Sequence, residues 1–428
     1  MNKVFLFLLS LCVCTTNSLA VLKIDITKGS MEPIPIAIDG FEGGSAAGRQ
    51  IMEVINNDLE SCGLFRIIDN NAYLEKLSID KVPTHSHWRK INANAVLIGD
   101  VERSSKGELT VKFRIWDSYS EKQLHSMVYT AHHSAWRRLA HKVADAVYTR
   151  LTGENPFFDS RIVYITESGS MLKRVKRLAI MDSDGANDLV LTSSKYLTLT
   201  PRFDPKSQRI IFMSFRNKIP QVFLLDLASG KQELLGSFPG MSFAPRFSPD
   251  GNYAIMSLAK DGTTDIIELD LNNRVKKKLT SGRGIINTSP SYSPDGKYIV
   301  FNSDRGGSLQ LYIMDRAGSN IKRISFGQGS YATPVWSPRG DLIAFTKISH
   351  GRFHIGVMRP DGSGERILTS AWLAESPSWS PNGRVIAFAK KEKGGHSQLY
   401  AIDITGYHER ILPTETAASD PAWSPLLD

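Results

Sequence analysis

Few side chains in this 428-residue sequence stand in patterns that could do chemistry. Two histidine pairs, His85 with His87 and His350 with His354, have a spacing that could offer a metal two ligands. Neither has a nearby cysteine or an obvious carboxylate to complete a site, and both read as solvated loop residues. Asp182-Ser183-Asp184-Gly185 resembles part of a calcium loop, but that register puts Ile180 at the first ligand position and Leu191 at the twelfth, so a turn is the better reading. Gly43-Gly44-Ser45-Ala46-Ala47 lacks the last glycine of a nucleophile elbow. Gly327-Gln328-Gly329-Ser330-Tyr331-Ala332 superficially fits a dinucleotide fingerprint, yet it is flanked by strands, with no helix to face a pyrophosphate. Paired carboxylates for glycoside hydrolysis would have to come from Glu375, Glu415 and Asp420, which is thin for an active site. No catalytic residue, cofactor or metal is expected.

Those residues must be positioned by a repeat. Pro201-Arg202-Phe203-Asp204-Pro205, Pro245-Arg246-Phe247-Ser248-Pro249, Pro290-Ser291-Tyr292-Ser293-Pro294, Pro334-Val335-Trp336-Ser337-Pro338, Pro377-Ser378-Trp379-Ser380-Pro381 and Pro421-Ala422-Trp423-Ser424-Pro425 align without gaps, their first prolines 44, 45, 44, 43 and 44 residues apart. A period this narrow marks a β-propeller with one four-stranded blade per repeat. The aromatic belongs in the packing between blades, and the second proline ends the innermost strand. Turns such as Asp250-Gly251 follow, then apolar strands such as Ile299-Val300-Phe301. Arg161-Ile162-Val163-Tyr164 matches a second strand with no first strand before it, while Pro421 begins a first strand with almost nothing after it. The two fragments complete each other and predict a closed ring of six blades, which removes exposed sheet edges.

Ahead of the propeller, a small α/β domain is expected over residues 34–155, with a mixed sheet and two helices. Ile34 opens a buried strand, and apolar positions from Ala47 to Leu59 have helical spacing before Gly63. Strands follow near Ala95, Leu109 and Gln123. Ser134 is expected to cap a helix carrying Trp136, Leu139, Val143, Val147 and Leu151, stopped by Gly153. The propeller takes residues 156–428, and the short linker should hold the two domains in contact. Residues 1–20, with Lys3, a short apolar run and Ala20, read as a cleaved signal peptide too short to span a bilayer. Residues 21–33 then form a mature N-terminal segment free to move, in which Val21, Leu22, Lys23, Ile24, Asp25 and Ile26 alternate like a strand. Of the three cysteines only Cys62 lies beyond the signal, as a small buried hydrophobe.

The formal charge of +9 suggests nucleic acid or an anionic membrane. However, residues 21–155 carry 17 basic and 17 acidic side chains, and residues 156–428 carry 34 and 26. The excess is a propeller surface property, and its densest runs, 173–177 and 276–278, are expected away from the connections that enter the innermost strands. They lack interleaved aromatics, and in a secreted protein nucleic acid is not the expected partner.

Those entering connections rim one mouth of the channel. They hold exposed-looking Tyr196, Met241, Phe243, Ile286, Tyr331 and Trp372. An aromatic and methionine-bearing rim suits protein contact. The alternative is a secreted hydrolase or lyase acting on a polysaccharide in the channel, which would need convergent carboxylates, histidines or a metal at the mouth.

The signal, the two-helix α/β domain and the six-copy propeller, in that order, resemble the TolB family over essentially the whole chain. The resemblance implies a periplasmic, non-enzymatic adaptor of the Tol–Pal system that helps maintain outer-membrane integrity and constrict that membrane during division. It implies that the propeller mouth binds Pal, the peptidoglycan-associated lipoprotein, and that residues 21–26 engage TolA, with the order of that segment coupled to Pal binding. On this chain the Pal-binding positions are Met241, Phe243, Ala244, Ile286, Thr288, Tyr331, Thr333, Trp372 and Glu375, with Ala244 and Thr288 the closest matches. Met241 stands where family members often place a histidine.

Overall fold

The structure, a computed structural model, describes residues 32–41, 46–170, 173–216, 219–238 and 241–427, the side chains of residues 241–243 excepted. The expected signal peptide and the strand-like segment from Val21 to Ile26 lie outside the described residues.

The N-terminal domain runs β1 (Ile34–Asp39), α1 (Ala46–Ser61), β2 (Phe65–Ile67), α2 (His85–Lys90), β3 (Ala95–Arg103), β4 (Glu108–Asp117), β5 (Gln123–His132) and α3 (Trp136–Thr152). The sheet order is β2-β1-β3-β4-β5, with β1 parallel to β2 and β3 and the other pairs antiparallel. β1 and β3 are buried on both faces, which is why their sequences are nearly continuously apolar. Ile36, Ile38 and Leu97 join the core that holds Ile51, Ile55, Leu59, Leu139, Val143 and Val147 of α1 and α3, while Ala37, Val96 and Ile98 pack with Trp88 and Trp116. α3 ends as expected at Gly153, whose φ of 73° is left-handed and whose N–H reaches the Thr149 carbonyl. Cys62 is buried, its thiol donating to the Leu59 carbonyl, and burial pushes it up to about 12.

Three local expectations fail. His354 lies on the propeller strand Arg352–Met358 instead of a loop, its ring nitrogens bonded to Ser349 Oγ at 3.0 Å and Ser370 Oγ at 2.6 Å. His85 and His87 lie on the short helix α2 instead of a loop, because Trp88 beside them is buried and its indole donates to Glu75 Oε1 at 2.8 Å. Ser134 does not cap α3. A 3-10 turn over His133–Ala135 precedes the helix, and the Ser134 hydroxyl pairs with His132 Nδ1 at 2.8 Å.

The propeller is a ring of six four-stranded antiparallel sheets. Blade 1 is Ala417–Trp423, Arg161–Ser168, Val175–Asp182 and Leu189–Val190 from the channel outward, so the last strand of the chain is the inner strand of the first blade. Blades 2 to 6 occupy residues 198–237, 241–278, 287–323, 330–371 and 373–412. The closing seam is hydrogen-bonded in both directions, Arg161 N to Ser424 Oγ and Ser424 N to Arg161 O, each at 2.8 Å. The serine of the repeat has a local task. Ser248 Oγ donates to Asp250 at 2.5 Å and accepts from Tyr253 N at 3.0 Å, fixing the turn whose Gly251 has a φ of 76°. Ser293 does the same with Asp295 and Tyr298, and Ser380 with Asn382 and Val385.

The α/β domain packs on the end of the propeller where the second repeat prolines lie. Arg137 pairs with Asp182 at 3.3 Å and with Asp184, so the calcium-like string is a turn held by a guanidinium. Arg339 pairs with Glu154, Asn382 Nδ2 donates to the Asn155 carbonyl at 2.9 Å, and Arg410 donates to the Ser61 carbonyl at 2.9 Å. Three consecutive linker N–H groups, of Phe157, Phe158 and Asp159, donate to the Asp145 carboxylate on α3 at 2.8–3.0 Å. Within this interface His141 meets Asp58 at 2.6 Å and lies 4.0 Å from Asp182. Burial alone would lower His141, but Asp58 and then Asp184 and Asp182 hold the imidazole up at about 9; burial raises Asp58, and the imidazolium pulls it back.

Candidate functional site

The residue before each repeat proline is the key to the channel. Thr200, Ala244, Ser289, Thr333, Ser376 and Asp420 all have φ between 45° and 58°, a left-handed conformation uncommon for residues with side chains. At each of these points the ladder between the inner and second strands slips its register. Proline cannot donate to the ladder, so a bulge is where it fits inside a paired strand. The segments before the prolines are therefore largely strand: the inner strands begin at Thr198, Met241, Asn287, Ser330, Leu373 and Ala417, three to four residues ahead of each proline. The bulges also turn all six pre-proline residues toward one cavity of about 310 Å³, which Arg202, Arg246 and Thr288 complete.

Connections into the inner strands and the hairpins between second and third strands share one end of the ring, opposite the α/β domain. The clearest case is the connection before blade 4. Thr264 N donates to Ile285 O at 3.0 Å, Gly284 N to Thr263 Oγ1 at 3.1 Å, and Ile286 N to Asp304 Oδ1 at 2.8 Å. Two neighbouring hairpins thus fix Ile286, which stays 44% exposed. Trp372, between the outer strand of blade 5 and the inner strand of blade 6, is 50% exposed, and Lys393 of the next hairpin lies over its ring at 5.7 Å. These are pre-organised apolar side chains on a rim.

The other named positions divide. Thr288 and Thr333 line the channel, half-buried, and their hydroxyls are taken by Asn302 at 2.6 Å and Thr346 at 2.8 Å. Ala244 lies on the same wall. Met241 and Phe243 start the inner strand of blade 3, and their side chains lie outside the described residues. Glu375 is half-buried in the inner strand of blade 6; burial, followed by the charge of Asp420, raises its carboxyl above the usual range. Tyr331 is not a rim residue. Its side chain is fully buried against Phe345, and its hydroxyl donates to Glu365 at 2.8 Å, over Gly327, where a Cβ would collide with that hydroxyl. Tyr196 is half-buried.

The position of the basic run near 173–177 is also corrected. Arg174 and Lys176 pair with Glu167 at 3.2 and 2.7 Å, and Glu167 accepts from Ser419 Oγ, on the strand entering Pro421, at 2.7 Å. The hairpin of blade 1 therefore puts this charge at the pre-proline end. Sequence reasoning missed the contribution of these hairpins to the rim, although alternation of strand direction from the six prolines would have located them. It also missed Arg202 and Arg246, hidden inside the motif that defined the repeat.

With this geometry in hand, comparison with known proteins is direct. Residues 22–124 match the family model for the TolB amino-terminal domain, and residues 148–427 match that for the TolB beta propeller domain. The Tol-Pal system protein TolB of Gluconobacter oxydans is 47% identical over 94% of this chain and 88% of its own length. That of Rickettsia bellii is 49% identical over 96% and 97%. The crystal structure of TolB from Acinetobacter baumannii superposes with a TM-score of 0.84 at 30% identity, covering 92% of this chain and 97% of its own. The chain belongs to the TolB family and is a component of the Tol-Pal system.

Proposed function

We propose that this chain is a periplasmic, non-enzymatic adaptor whose propeller mouth binds the lipoprotein Pal and whose segment 21–26 engages TolA, so that the two together support outer-membrane integrity and its constriction at division. Residues 1–20 act as the cleaved signal, 21–33 as the mature N-terminal segment, 34–155 as the α/β domain and 156–428 as the propeller. One observation carries the reading: Ile286 and Trp372 are exposed on a rim held by neighbouring hairpins, at the end of the ring the α/β domain leaves free. Fixed, exposed apolar anchors lose little conformational freedom on docking, which favours protein partners. Ala244, Thr288 and Thr333 line the channel at this mouth, Met241, Phe243 and Glu375 belong to the inner strands that enter it, and Tyr331 supports it from within the blade. A second partner on residues 21–26 can be coupled to the mouth if Pal binding differs between the docked and free forms of that segment. Co-purification of the mature chain with Pal and with the TolA periplasmic domain, repeated after deleting residues 21–29, tests it. Loss of TolA capture with altered Pal affinity is expected; retained TolA capture with unchanged Pal affinity contradicts it.

A further inference from the structure

Two arginines stand at the waist of the channel and share one nearby carboxylate, Asp420. Arg202 and Arg246 are equivalent positions of the repeat, and the other four are Ser291, Val335, Ser378 and Ala422. Both arginines line the 310 Å³ cavity on the pre-proline side and also the cavity of about 410 Å³ on the side of the second prolines, so they separate the two. Arg202 is 7% exposed, with one terminal nitrogen donating to the Pro201 carbonyl at 2.6 Å. Its Nε and that of Arg246 are buried with no hydrogen-bond partner, as is Thr200 Oγ1 on the same wall. Among the described residues neither guanidinium has a carboxylate oxygen within 4.0 Å.

A guanidinium stays charged in proteins, and a desolvated one without a partner is costly. Here two face one space, and burial lowers the proton affinity of both, with Arg202 adding to the effect on Arg246. Asp420 is the nearby carboxylate, held by Ser376 Oγ at 3.0 Å, and it offsets one positive charge. Glu375 lies close enough to Asp420 to feel its charge, and burial followed by that charge raises its carboxyl above the usual range. On the 410 Å³ side of the arginines, Ser291 and Ser378 accept from the backbone N–H groups of Trp336 and Trp423 at 3.2 and 2.9 Å, which leaves their hydroxyl protons free to donate. The space is thus short of negative charge and rich in donors, more than one carboxylate could use.

We propose that this waist is a binding site for a small tetrahedral oxyanion of the phosphate or sulfate class, held by Arg202 and Arg246 with Thr200 at its edge. Paired guanidiniums suit such oxygens because their planar forks donate in parallel. The anion screens the repulsion between the two arginines and stabilises the ring from within the channel.

The test uses the whole mature chain, with inorganic phosphate against chloride at matched ionic strength, read by thermal melting and titration calorimetry. Wild type should show a saturable rise in Tm with phosphate. Arg202→Gln and Arg246→Gln should each weaken phosphate binding at least about tenfold while leaving Tm in chloride unchanged or higher, since they remove an uncompensated charge. Asp420→Asn should tighten binding severalfold by removing the competing carboxylate. Arg246→Lys, which keeps the charge but not the fork, serves if a glutamine variant does not fold, and should weaken binding about tenfold. No phosphate effect beyond chloride in wild type, or an effect that survives in the arginine variants, overturns the proposal.

Discussion

Trp423 donates its indole N–H to the hydroxyl of Ser160 at 2.8 Å, across 263 residues of sequence. The last strand of the chain is thereby tied to the linker that leads into the first propeller strand, and the same tryptophan lies edge-on to Phe157 at 6.2 Å. Ring closure and domain attachment share one packing unit.

Truncating residues 417–428 should therefore do more than remove a strand. It exposes the edge of Arg161–Ser168 and empties the site of Trp423, so thermal melting should show loss of cooperative unfolding or a Tm lower by about 10 °C or more. Trp423→Phe keeps most of the packing but removes the donor to the Ser160 hydroxyl, which keeps its own bond to the Phe157 carbonyl, and should cost about 1 kcal/mol in a urea titration.

Stability should depend on pH through His141. Its imidazole is held up at about 9 in the folded chain against an ordinary 6.5, so its contribution is complete below about pH 6.5 and is lost as pH rises through about 9. The loss should reach about 3 kcal/mol at most. Urea titrations at pH 6, 8 and 9.5 check it: the decline should be present in wild type and nearly absent in His141→Gln.

The bulge before each repeat proline holds a left-handed residue, and at Ala244 there is no side-chain hydrogen bond to compensate. Ala244→Gly should stabilise the chain by up to about 1 kcal/mol, where the same change in an ordinary strand would destabilise it. A denaturant titration with unchanged m-value reads this directly.

Tyr331 and Trp372 should part company. Tyr331→Phe leaves Glu365 with only Lys347 and should lower stability by about 1 kcal/mol without changing partner affinity. Trp372→Ala should leave Tm nearly unchanged, because the side chain is half exposed, and act on binding instead.

These contrasts show what the amino-acid sequence reveals and what it hides. The six blades were legible because every copy needs an aromatic between sheets, followed by a serine or, in the first copy, an aspartate, and these demands recur at one period. Ring closure was legible from Arg161 and Pro421, two incomplete fragments of one unit. Tyr331 was not, because its burial depends on a partner 34 residues away, Glu365, and on the space that Gly327 leaves for its hydroxyl. The left-handed residues before the prolines escaped too, since five of the six are threonine, alanine or serine, which carry no signature of positive φ, and Asp420 alone does not reveal the pattern. The Arg174 hairpin was misplaced because linear distance from the prolines says little about which end of a ring a turn occupies.

The measurement that tests the proposed function most directly is the affinity of the mature chain for a purified Pal domain, by calorimetry, with Ile286→Ala and Trp372→Ala beside Lys277→Ala on an exposed outer strand. Binding should be measurable in wild type, weakened about tenfold or more by each rim change and untouched by Lys277→Ala. No binding in wild type, or equal affinity in the doubly substituted rim, would contradict a Pal-binding mouth at the pre-proline end.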